Sequence, residues 1–246
     1  MNLILFEKEE VTDHHVLLLD HRAKHIVKVL HSDVGDIVRV GMVGGAIGTG
    51  EIVRLEKKYP FAADLCVKLT NNAVTHPAID LLLALPRPIM LKRIFSQATA
   101  LGVGKIFITN ANRVEKSFWE SGILDPIEYR PHLIQGLEQA IDTRLPEIII
   151  SRHFRSFAEE KLRGIAGDYS HLLLAHPKAD KSLSTCLQGK RGRVLYAIGP
   201  EGGWVDFELE KLQQSGMRVF SIGARILKVD TAVIAIHSRI TQELER

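Results

Sequence analysis

The pattern of apolar and polar positions changes near residue 75. Before it, short apolar runs such as "DIVRV", "GEIVRL" and "ADLCVKL" alternate with turn residues, and glycines crowd the stretch "GMVGGAIGTG". We interpret "GGAIGTGE" as hairpin turns. The pattern predicts a small all-β unit, most simply a barrel, over residues 1–74. The polar stretch "TNNAVTHPA" that follows predicts a linker.

One segment of this β unit has helical spacing instead. In "HRAKHIVKVLH" the apolar positions follow a helical period, with Asp20 as the predicted N-cap. These apolar positions are Ala23, Ile26, Val27 and Leu30. Lys24, Lys28 and His31 would then share one exposed face. Such a face is either simply solvated or contacts the phosphates of a nucleic acid, and the sequence leaves both interpretations open.

Strands and helices alternate after residue 75. The continuous apolar runs are "IDLLLALP", "KIFIT", "EIII", "HLLLAHP", "RVLYAIG" and "RVFSIG". The helical segments between them are "MLKRIFSQATALG" ending at Gly102, "PIEYRPHLIQGLEQAI", "SFAEEKLRGIAG" with a serine cap, and "FELEKLQQSG". A long helix from about Thr231 closes the chain. This alternation predicts an α/β domain over residues 75–246, with a parallel sheet covered on both faces.

Composition narrows the class of protein. The 246 residues are 46% apolar and carry a net charge of +3, which permits an RNA partner without arguing for one. Cys66 and Cys186 form no CxxC pair and are predicted to be buried in a reducing compartment. No apolar run approaches the roughly 20 residues that a membrane helix needs. The start of the chain lacks a basic segment, so we expect a soluble, cytoplasmic protein that has no membrane association.

Three late strands end in small residues, in "LLLAHPKA", "LYAIGPEGG" and "VFSIGARIL". Ligands of open parallel sheets bind beyond the carboxyl ends of the strands. Glycine there lets a ligand approach bare N–H and C=O groups, as binding of a purine edge or a carboxylate requires. A glycine after a strand is also an ordinary turn, but three such ends together favour a site. The sequence lacks the motifs of other kinds of site. These motifs are G-x-G-x-x-G after an early strand, Gly-Lys-Ser/Thr, G-x-S-x-G, H-E-x-x-H and metal-ligand spacings.

"IGPEGG", followed about twenty residues later by "IGARILKVDTA", resembles the paired C-terminal motifs of the ribosomal RNA small subunit methyltransferase E family. These SPOUT-class enzymes methylate N3 of a uridine in 16S rRNA, using S-adenosylmethionine. "HIVKVLHSDVGDIVRV" is similar to the N-terminal PUA-like barrel of that family. "ALGVGKIFITNANR", "GLEQAIDTRLPEI" and "LLAHPKA" match its further segments, so the resemblance covers nearly the whole chain.

The resemblance implies an RNA-binding PUA-like barrel over residues 1–74 and a trefoil-knotted SPOUT domain over 75–246. It further implies a homodimer formed through the closing helix and the knot region, with the small ribosomal subunit and its 16S rRNA as partner. Because the residues themselves show no metal-ligand pattern, we expect no metal. The three strand-end loops would hold S-adenosylmethionine. The cofactor-binding residues implied are Leu174, Ala175, His176, Ile198, Gly199, Pro200, Gly202, Gly203, Ile222, Gly223, Ile226, Leu227 and Ala232.

The same resemblance implies catalytic candidates. Methyl transfer needs little beyond positioning, but uracil N3 must lose its proton. Arg225 and Arg113 would stabilise charge developing on the neighbouring carbonyl oxygens, and Glu138 would accept the proton or contact substrate. Structural ion pairs are the alternative for Arg113 and Glu138, and helix capping or binding of loop amides is the alternative for Glu201. The candidate RNA contacts are Arg22, Lys24, Lys28, Arg144 and Lys228.

The chain departs from the family pattern near the RNA rather than near the cofactor. The departures are Ala111, Asn112, Asp142, Lys228 and Asp230. Arginine and lysine differ wherever a bidentate contact is needed, so these positions bear on the RNA target. Two alternatives stay open: methylation of a different RNA base, and an RNA-binding protein that keeps the fold without catalysis.

Overall fold

The computed structural model describes residues 2–71, 79–189 and 192–245. Most of the predicted linker, residues 72–78, lies outside the described residues. Backbone contacts divide the chain into two compact units. The first unit is Met1–Thr75 together with Ile134–Leu145, and the second is His76–Leu133 together with Pro146–Arg246. Each unit is built around its own sheet.

The first unit holds a six-stranded sheet in the order β1-β4-β5-β6-β3-β2. The strands are β1 (Ile4–Phe6), β2 (Val11–Thr12), β3 (His15–Leu18), β4 (Ile37–Met42), β5 (Ile47–Glu56) and β6 (Ala62–Asn71). β1 and β4 pair in parallel and the other pairs are antiparallel. Alternate residues of these strands form one apolar core, in which Phe6, Leu18 and Leu65 are buried.

The glycine-rich stretch of this unit is only partly a turn. Gly44 and Gly45 lie between β4 and β5, as predicted, but Gly48 and Gly50 lie inside β5. A Cβ at Gly48 would collide with the carbonyl oxygen of Lys68 on the neighbouring strand, beside an irregularity in the strand register. The prediction of hairpin turns throughout "GGAIGTGE" is therefore wrong for its second half, because close packing of strands also selects glycine.

The predicted basic helix is present as α1 (His21–Lys28). The Asp20 side chain accepts a hydrogen bond from the Arg22 backbone N–H at 2.9 Å, as the N-cap prediction requires. Ala23, Ile26 and Val27 are buried. Leu30 is wrongly assigned to this buried face, because the helix has already ended and the Leu30 side chain is exposed.

The second unit holds a six-stranded sheet in the order β12-β10-β11-β7-β8-β9, and every pair is parallel. The strands are β7 (Ile79–Ala84), β8 (Lys105–Thr109), β9 (Glu147–Ser151), β10 (His171–Ala175), β11 (Val194–Ile198) and β12 (Arg218–Phe220). All six predicted strands are confirmed. Because the strands are parallel, their carboxyl ends lie at one edge of the sheet.

The remaining helices lie between these strands, except that α9 follows the last strand and closes the chain. They are α2 (Pro88–Ala100), α3 (Lys116–Trp119), α4 (Pro126–Ala140), α5 (Phe154–Ser156), α6 (Arg163–Ile165), α7 (Leu183–Cys186), α8 (Asp206–Gln214) and α9 (Val229–Leu244). A π-helical segment, Phe157–Leu162, joins α5 to α6. Gly102 follows α2 with φ of +81°, and the Val103 N–H bonds the Ala98 carbonyl at 3.0 Å, which confirms the predicted glycine stop.

The predicted serine cap is wrong. The helical segment after β9 begins at Phe154, with His153 in the N-cap position and no side-chain cap bond, so Ser156 lies inside the helix. Phe154 is buried against the core of the second unit. Apolar burial, rather than a capping side chain, accounts for the start of this helix.

Helices cover both faces of the parallel sheet. On one face, the core side chains Leu82, Phe107 and Leu195 pack with Phe157 and Leu212. On the other face α9 packs against α2 and β11, and the rings of Tyr196 and His237 meet edge to face with centroids 6.0 Å apart. The predicted two-sided covering of the sheet is confirmed.

Candidate functional site

Three neighbouring strands end in the loops that the sequence marks by small residues, and two of these loops contain glycine. β10 lies between β12 and β11, with Ala175 opposite Phe220 and Leu174 opposite Ala197. The strands therefore end at the same level. The loops are defined as loop A (residues 176–182), loop B (199–205) and loop C (221–228). The structure brings the predicted cofactor-binding segments together at this edge, and Ala232 lies in the first turn of α9, just beyond loop C.

Main-chain hydrogen bonds join loops A and C. The His176 N–H donates to the Phe220 carbonyl at 2.9 Å, and the Ser221 N–H donates to the Lys181 carbonyl at 2.9 Å. Arg239 of α9 donates from Nη1 to the Ile222 carbonyl at 2.9 Å. Loop C is thus tied at its start, whereas Gly223, Arg225 and Ile226 are exposed.

Two glycines of loop B, Gly199 and Gly202, lie close to other side chains of the protein. A Cβ at Gly199 would lie 3.0 Å from the indole nitrogen of Trp204, and a Cβ at Gly202 would lie 2.9 Å from Cδ of Arg113. Gly203 has φ of +74°, in the left-handed region. A side chain at Gly199 would therefore press on the Trp204 ring within the protein and would not only occupy ligand space.

Gly223 in loop C differs from the loop B glycines. Its φ is +140°, and no atom lies within 4 Å of the position that a Cβ would take. A side chain there would project into open space in front of the loop. A bound small molecule could approach this backbone closely, so Gly223 fits the interpretation of a ligand cradle.

Trp204 adds a polar group to the same edge. Its side chain is buried, and its Nε1 has no hydrogen-bond partner among the described residues. A buried N–H donor without an acceptor is energetically unfavourable in the protein without a ligand. A polar ligand atom or a water at loop B would satisfy it, which is a second reason to regard this edge as a binding site.

Two carboxylates fix loop B from either side. Glu201 Oε1 accepts a hydrogen bond from the Arg87 N–H at 3.1 Å, at the start of α2. Glu201 therefore binds a backbone amide of another loop, and not the start of the helix that follows it. Glu208, which the sequence analysis missed, accepts from Asn112 N at 2.6 Å and Val205 N at 3.0 Å. Glu208 lies three residues after Val205, but a valine in the N-cap position lacks the polar side chain of a capping box, so no sequence signal marked Glu208.

The three catalytic candidates occupy different surroundings. Arg113 donates to the Gly202 carbonyl of loop B, and Arg225 is exposed in loop C. Glu138 packs in the first unit, where its backbone carbonyl accepts from Asn2 and Leu3 at 3.0 and 3.1 Å. Burial raises the pKa of the Glu138 carboxyl group to about 7. Its Oε1 has no hydrogen-bond partner within the described part of the chain.

The candidate RNA contacts also separate into two groups. Lys24, Lys28, Arg144 and Lys228 are exposed, and Lys28 Nζ lies 5.4 Å from the centroid of the Phe61 ring. These four side chains are accessible to a phosphate backbone.

Arg22 is different because its guanidinium is engaged inside the first unit. It forms ion pairs with Glu10 at 2.6 Å and Asp20 at 2.8 Å, and it donates to the Leu5 carbonyl at 2.8 Å. The hydrogen bond from Arg22 lowers the pKa of Glu10. The structure gives Arg22 a structural role in place of the predicted RNA contact, because its side chain is largely buried among these partners.

A cavity of about 470 Å³ borders loops A and C, with Arg239 of α9 in its wall. Its size is ordinary for a small-molecule pocket. None of its lining residues comes from loop B. The candidate site is therefore the edge of the sheet from which all three loops extend, and this cavity borders two of them.

Two kinds of feature are missing from residues 2–71, 79–189 and 192–245. Within those ranges, no group of three or more His, Cys, Asp or Glu side chains could hold a metal ion. No helix there is both long enough and apolar enough to span a bilayer.

Comparison with known proteins identifies the fold and the family of the chain. Residues 74–241 match the family model of the RNA methyltransferase domain. Two solved structures share the fold: a ribosomal RNA small subunit methyltransferase E from Neisseria gonorrhoeae bound to S-adenosyl methionine, and a Legionella pneumophila methyltransferase with bound cofactor SAM. The TM-scores are 0.76 and 0.77, at 19% and 20% identity, each covering 98% of this chain and 97% of the other.

Curated relatives extend over nearly the whole chain. Ribosomal RNA small subunit methyltransferase E of Treponema pallidum is 33% identical over 238 residues, which cover 96% of this chain and 88% of the relative. Ribosomal RNA small subunit methyltransferase E 1 of Borreliella burgdorferi is 29% identical over 236 residues, covering 96% of this chain and 95% of the relative. The chain belongs to the ribosomal RNA small subunit methyltransferase E family, a family of RNA methyltransferases.

Proposed function

We propose that this protein transfers a methyl group from S-adenosylmethionine to N3 of a uridine in 16S rRNA. The observation that carries the proposal is that loops A, B and C extend from three neighbouring strands, β10, β11 and β12, at the carboxyl edge of the sheet. Family membership supports an RNA substrate, and the names of the relatives point to the small ribosomal subunit. Two proteins of the same fold bind S-adenosylmethionine.

The cofactor would be held mainly by main chain. Loop A and the end of β10 offer Leu174 to His176, loop B offers the backbone around Gly199 to Gly203, and loop C offers the backbone at Gly223. When bound, S-adenosylmethionine supplies a methyl group attached to a positively charged sulfur. The residues of the chain need only exclude water, fix the loops and orient the nucleophile. Glu201 and Glu208 fix loop B by binding amides of neighbouring segments.

The nucleophile would be uracil N3 after loss of its proton. The new N3–methyl bond forms as the sulfur–methyl bond breaks, and the N3 proton leaves to a base. Arg225 would stabilise the charge that spreads onto the uracil carbonyl oxygens, because its exposed guanidinium forms no ion pair with any described residue. Arg113 would position loop B through the Gly202 carbonyl. Glu138, with a pKa of about 7, has the basicity expected of a proton acceptor.

RNA binding would use both units. Lys24 and Lys28 of α1, together with Arg144 and Lys228, would contact phosphates. We further propose that the first unit is a PUA-like barrel, that the second contains a trefoil knot, and that two copies associate through α9 in the cytoplasm. The partly exposed Ile234 of α9 and the highly exposed Ile226 of loop C support an interface or a ligand on this face, because large apolar side chains favour burial.

The first prediction tests the cofactor site. The protein should bind S-adenosylmethionine in titration calorimetry without added metal. Gly223→Val should weaken this binding about tenfold or more, because a branched side chain would occupy ligand space. Gly44→Val is the matched control: Gly44 also has a positive φ, of +70°, and open space at its Cβ, but it lies in a turn of the first unit. Equal affinity in both variants would contradict the site.

The reaction itself is tested by methyl transfer to 16S rRNA, followed by mass mapping of the methylated nucleotide. A methyl group on uridine N3 is the expected product. Methylation of another base would assign a different target, and RNA binding without transfer would identify a binding protein.

A further inference from the structure

Trp119 and Arg152 lie beyond two other strands at the same carboxyl edge. Asn110 directly follows β8 and Arg152 directly follows β9, and the last residues of these strands, Thr109 and Ser151, are paired in register. Trp119 closes α3, the short helix after β8. The sheet itself therefore brings these two segments side by side.

Contacts orient the Trp119 ring. Its Nε1 donates a hydrogen bond to Asn110 Oδ1 at 2.9 Å. The Arg152 guanidinium carbon lies 5.5 Å from the ring centroid. The ring is partly exposed and Arg152 is exposed. One end of the indole is thus fixed by a polar contact, while a cation over the ring faces solvent.

No carboxylate of the described residues forms an ion pair with Arg152. The neighbouring Arg155 also lies over an aromatic ring, 5.8 Å from the Phe207 centroid, but its guanidinium in addition pairs with Glu159 at 3.4 Å. A guanidinium that contacts only an aromatic ring keeps its capacity to bind an anion or to stack on a flat group. The exposed position also means that the pair contributes little to folding.

The pair is continuous with loop B. Arg113, from the segment between Asn110 and Trp119, donates to the Gly202 carbonyl. Phe154, two residues after Arg152, packs against Trp204 at the end of loop B, with ring centroids 6.0 Å apart. Both segments that supply the pair therefore also contact the proposed cofactor loop.

We propose that the Trp119–Arg152 pair is a stacking platform for an unpaired RNA base adjacent to the methylated nucleotide. The identification of RNA as the polymer rests on the proposed function. Bases of single-stranded RNA stack on aromatic rings and on guanidinium planes, and this pair offers both. The exposed Lys116 on the same segment supplies a further positive charge for the phosphates. The platform holds a base by its flat face, so it is tolerant of base identity.

A thermodynamic cycle tests the platform. The probe is a single-stranded RNA of about ten nucleotides with one central uridine, within the range of single-strand binding sites. An abasic residue is placed at each position in turn, and dissociation constants are measured by fluorescence anisotropy. For the wild-type protein, an abasic residue at one position near the uridine should weaken binding about 5- to 150-fold. Trp119→Ala should weaken binding to the intact strand by a similar factor and abolish the effect of that abasic residue.

Three further variants separate stacking from charge and from misfolding. Trp119→Phe keeps an aromatic ring and should stay within a few-fold of wild type. Arg152→Ala should weaken binding more than the matched control Arg155→Ala. The platform is overturned if the intact strand does not bind, if Trp119→Ala keeps the full abasic effect, or if Arg152→Ala and Arg155→Ala are equal.

The test of the platform and the test of the proposed function can fail independently of each other. The cycle measures RNA binding and needs no turnover. Cofactor binding and methyl transfer by the wild-type protein are measured independently. A protein that transfers methyl groups but shows no coupling between Trp119 and the abasic position keeps the function and loses the platform. A protein that shows the coupling without methyl transfer loses the function and keeps the platform.

Discussion

The two edges of the parallel sheet are built in opposite ways. At the amino edge, the Asp80 carboxylate is fully buried and accepts hydrogen bonds from Lys105 N at 2.8 Å, Tyr169 Oη at 2.6 Å and Arg193 Nε at 2.8 Å. Burial, together with the bond to Asp80, raises the pKa of Tyr169. At the carboxyl edge, loop C exposes Gly223, Arg225 and Ile226 to solvent.

The difference shows how one sheet serves stability and binding at separate places. At the amino edge, the buried carboxylate of Asp80 is satisfied by donors of the chain itself, so nothing from outside is needed. At the carboxyl edge, a buried donor of Trp204 has no acceptor among the described residues, and apolar and cationic side chains point outward. We call the amino edge the closed edge and the carboxyl edge the open edge. Side chains of the protein stabilise the closed edge, whereas a bound ligand would stabilise the open edge.

The largest expected effect on stability comes from removing the Asp80 carboxylate at the closed edge. Asp80→Ala removes the acceptor shared by Tyr169 and Arg193, and it should lower the free energy of unfolding by about 3–5 kcal/mol, because the remaining partners stay partly buried without it. Urea denaturation measures the change. Asp80→Asn, which keeps one acceptor oxygen, is the control and should cost less.

Because the two edges are separate, the Asp80→Ala variant should also keep its affinity for the cofactor. Below its denaturation midpoint, Asp80→Ala should bind S-adenosylmethionine with wild-type affinity. A loss of affinity under native conditions would mean that the two edges are coupled. A stability change within about 1 kcal/mol would mean that the buried hydrogen bonds at the closed edge contribute little net energy.

A second buried carboxyl group, that of Glu138, lacks such donors at one of its oxygens, so comparing it with Asp80 shows what the donors contribute. Asp80 has three donors, whereas Glu138 Oε1 has no partner within the described residues, and burial raises the pKa of Glu138 to about 7. An unfolded glutamate titrates near pH 4.3. Between these two pH values the folded state binds more protons than the unfolded state, so the free energy of unfolding should fall as the pH rises. Integrated over this window, the loss is on the order of 3 kcal/mol, and it is complete above about pH 7.

Urea denaturation between pH 4.5 and pH 8 measures this dependence. Glu138→Gln keeps the size of the side chain and removes its titration, so the variant should lose the part of the slope that Glu138 causes. Identical slopes in the variant and the wild type would show that Glu138 is ionised in the folded protein at neutral pH.

Local features of the fold could be predicted from the sequence. The six apolar runs predicted the six parallel strands, because strands buried on both faces need continuous apolar residues. Asp20 and Gly102 marked a helix start and a helix stop, because capping depends on one side chain or one backbone angle. Loops A, B and C were predictable for the same reason: their small residues follow directly after strands.

Features that depend on distant pairs could not be predicted. Ile134–Leu145 is contiguous with the second unit in sequence, yet its contacts belong to the first, where Leu137 packs with Leu3 and Leu5. Arg22 looked like a surface cation until its partners Glu10 and Leu5 were placed beside it. The Trp119–Arg152 pair depends on the adjacency of β8 and β9, which hydrophobic periodicity does not encode.

The smallest expected effect lies at the open edge. Arg225→Lys keeps the positive charge and loses the planar fork of the guanidinium. If Arg225 stabilises charge on the uracil carbonyl oxygens, single-turnover methyl transfer to RNA should slow about tenfold, with little change in cofactor affinity. Since Arg225 is exposed and pairs with no described carboxylate, the melting temperature should not change. Arg155→Lys is a control for the substitution itself, because Arg155 is also exposed but its guanidinium already pairs with Glu159.

The alternative to a catalytic role for Arg225 is a structural one, and the two differ in which measurement moves. A structural arginine would make Arg225→Lys less stable, and the rate of methyl transfer would fall only in proportion to the unfolded fraction. A variant with a lower melting temperature and a near-normal rate would remove Arg225 from the reaction. A slow variant with wild-type melting would place the chemistry at the open edge, because a change in loop C would then alter turnover without touching the packing that holds the sheet together.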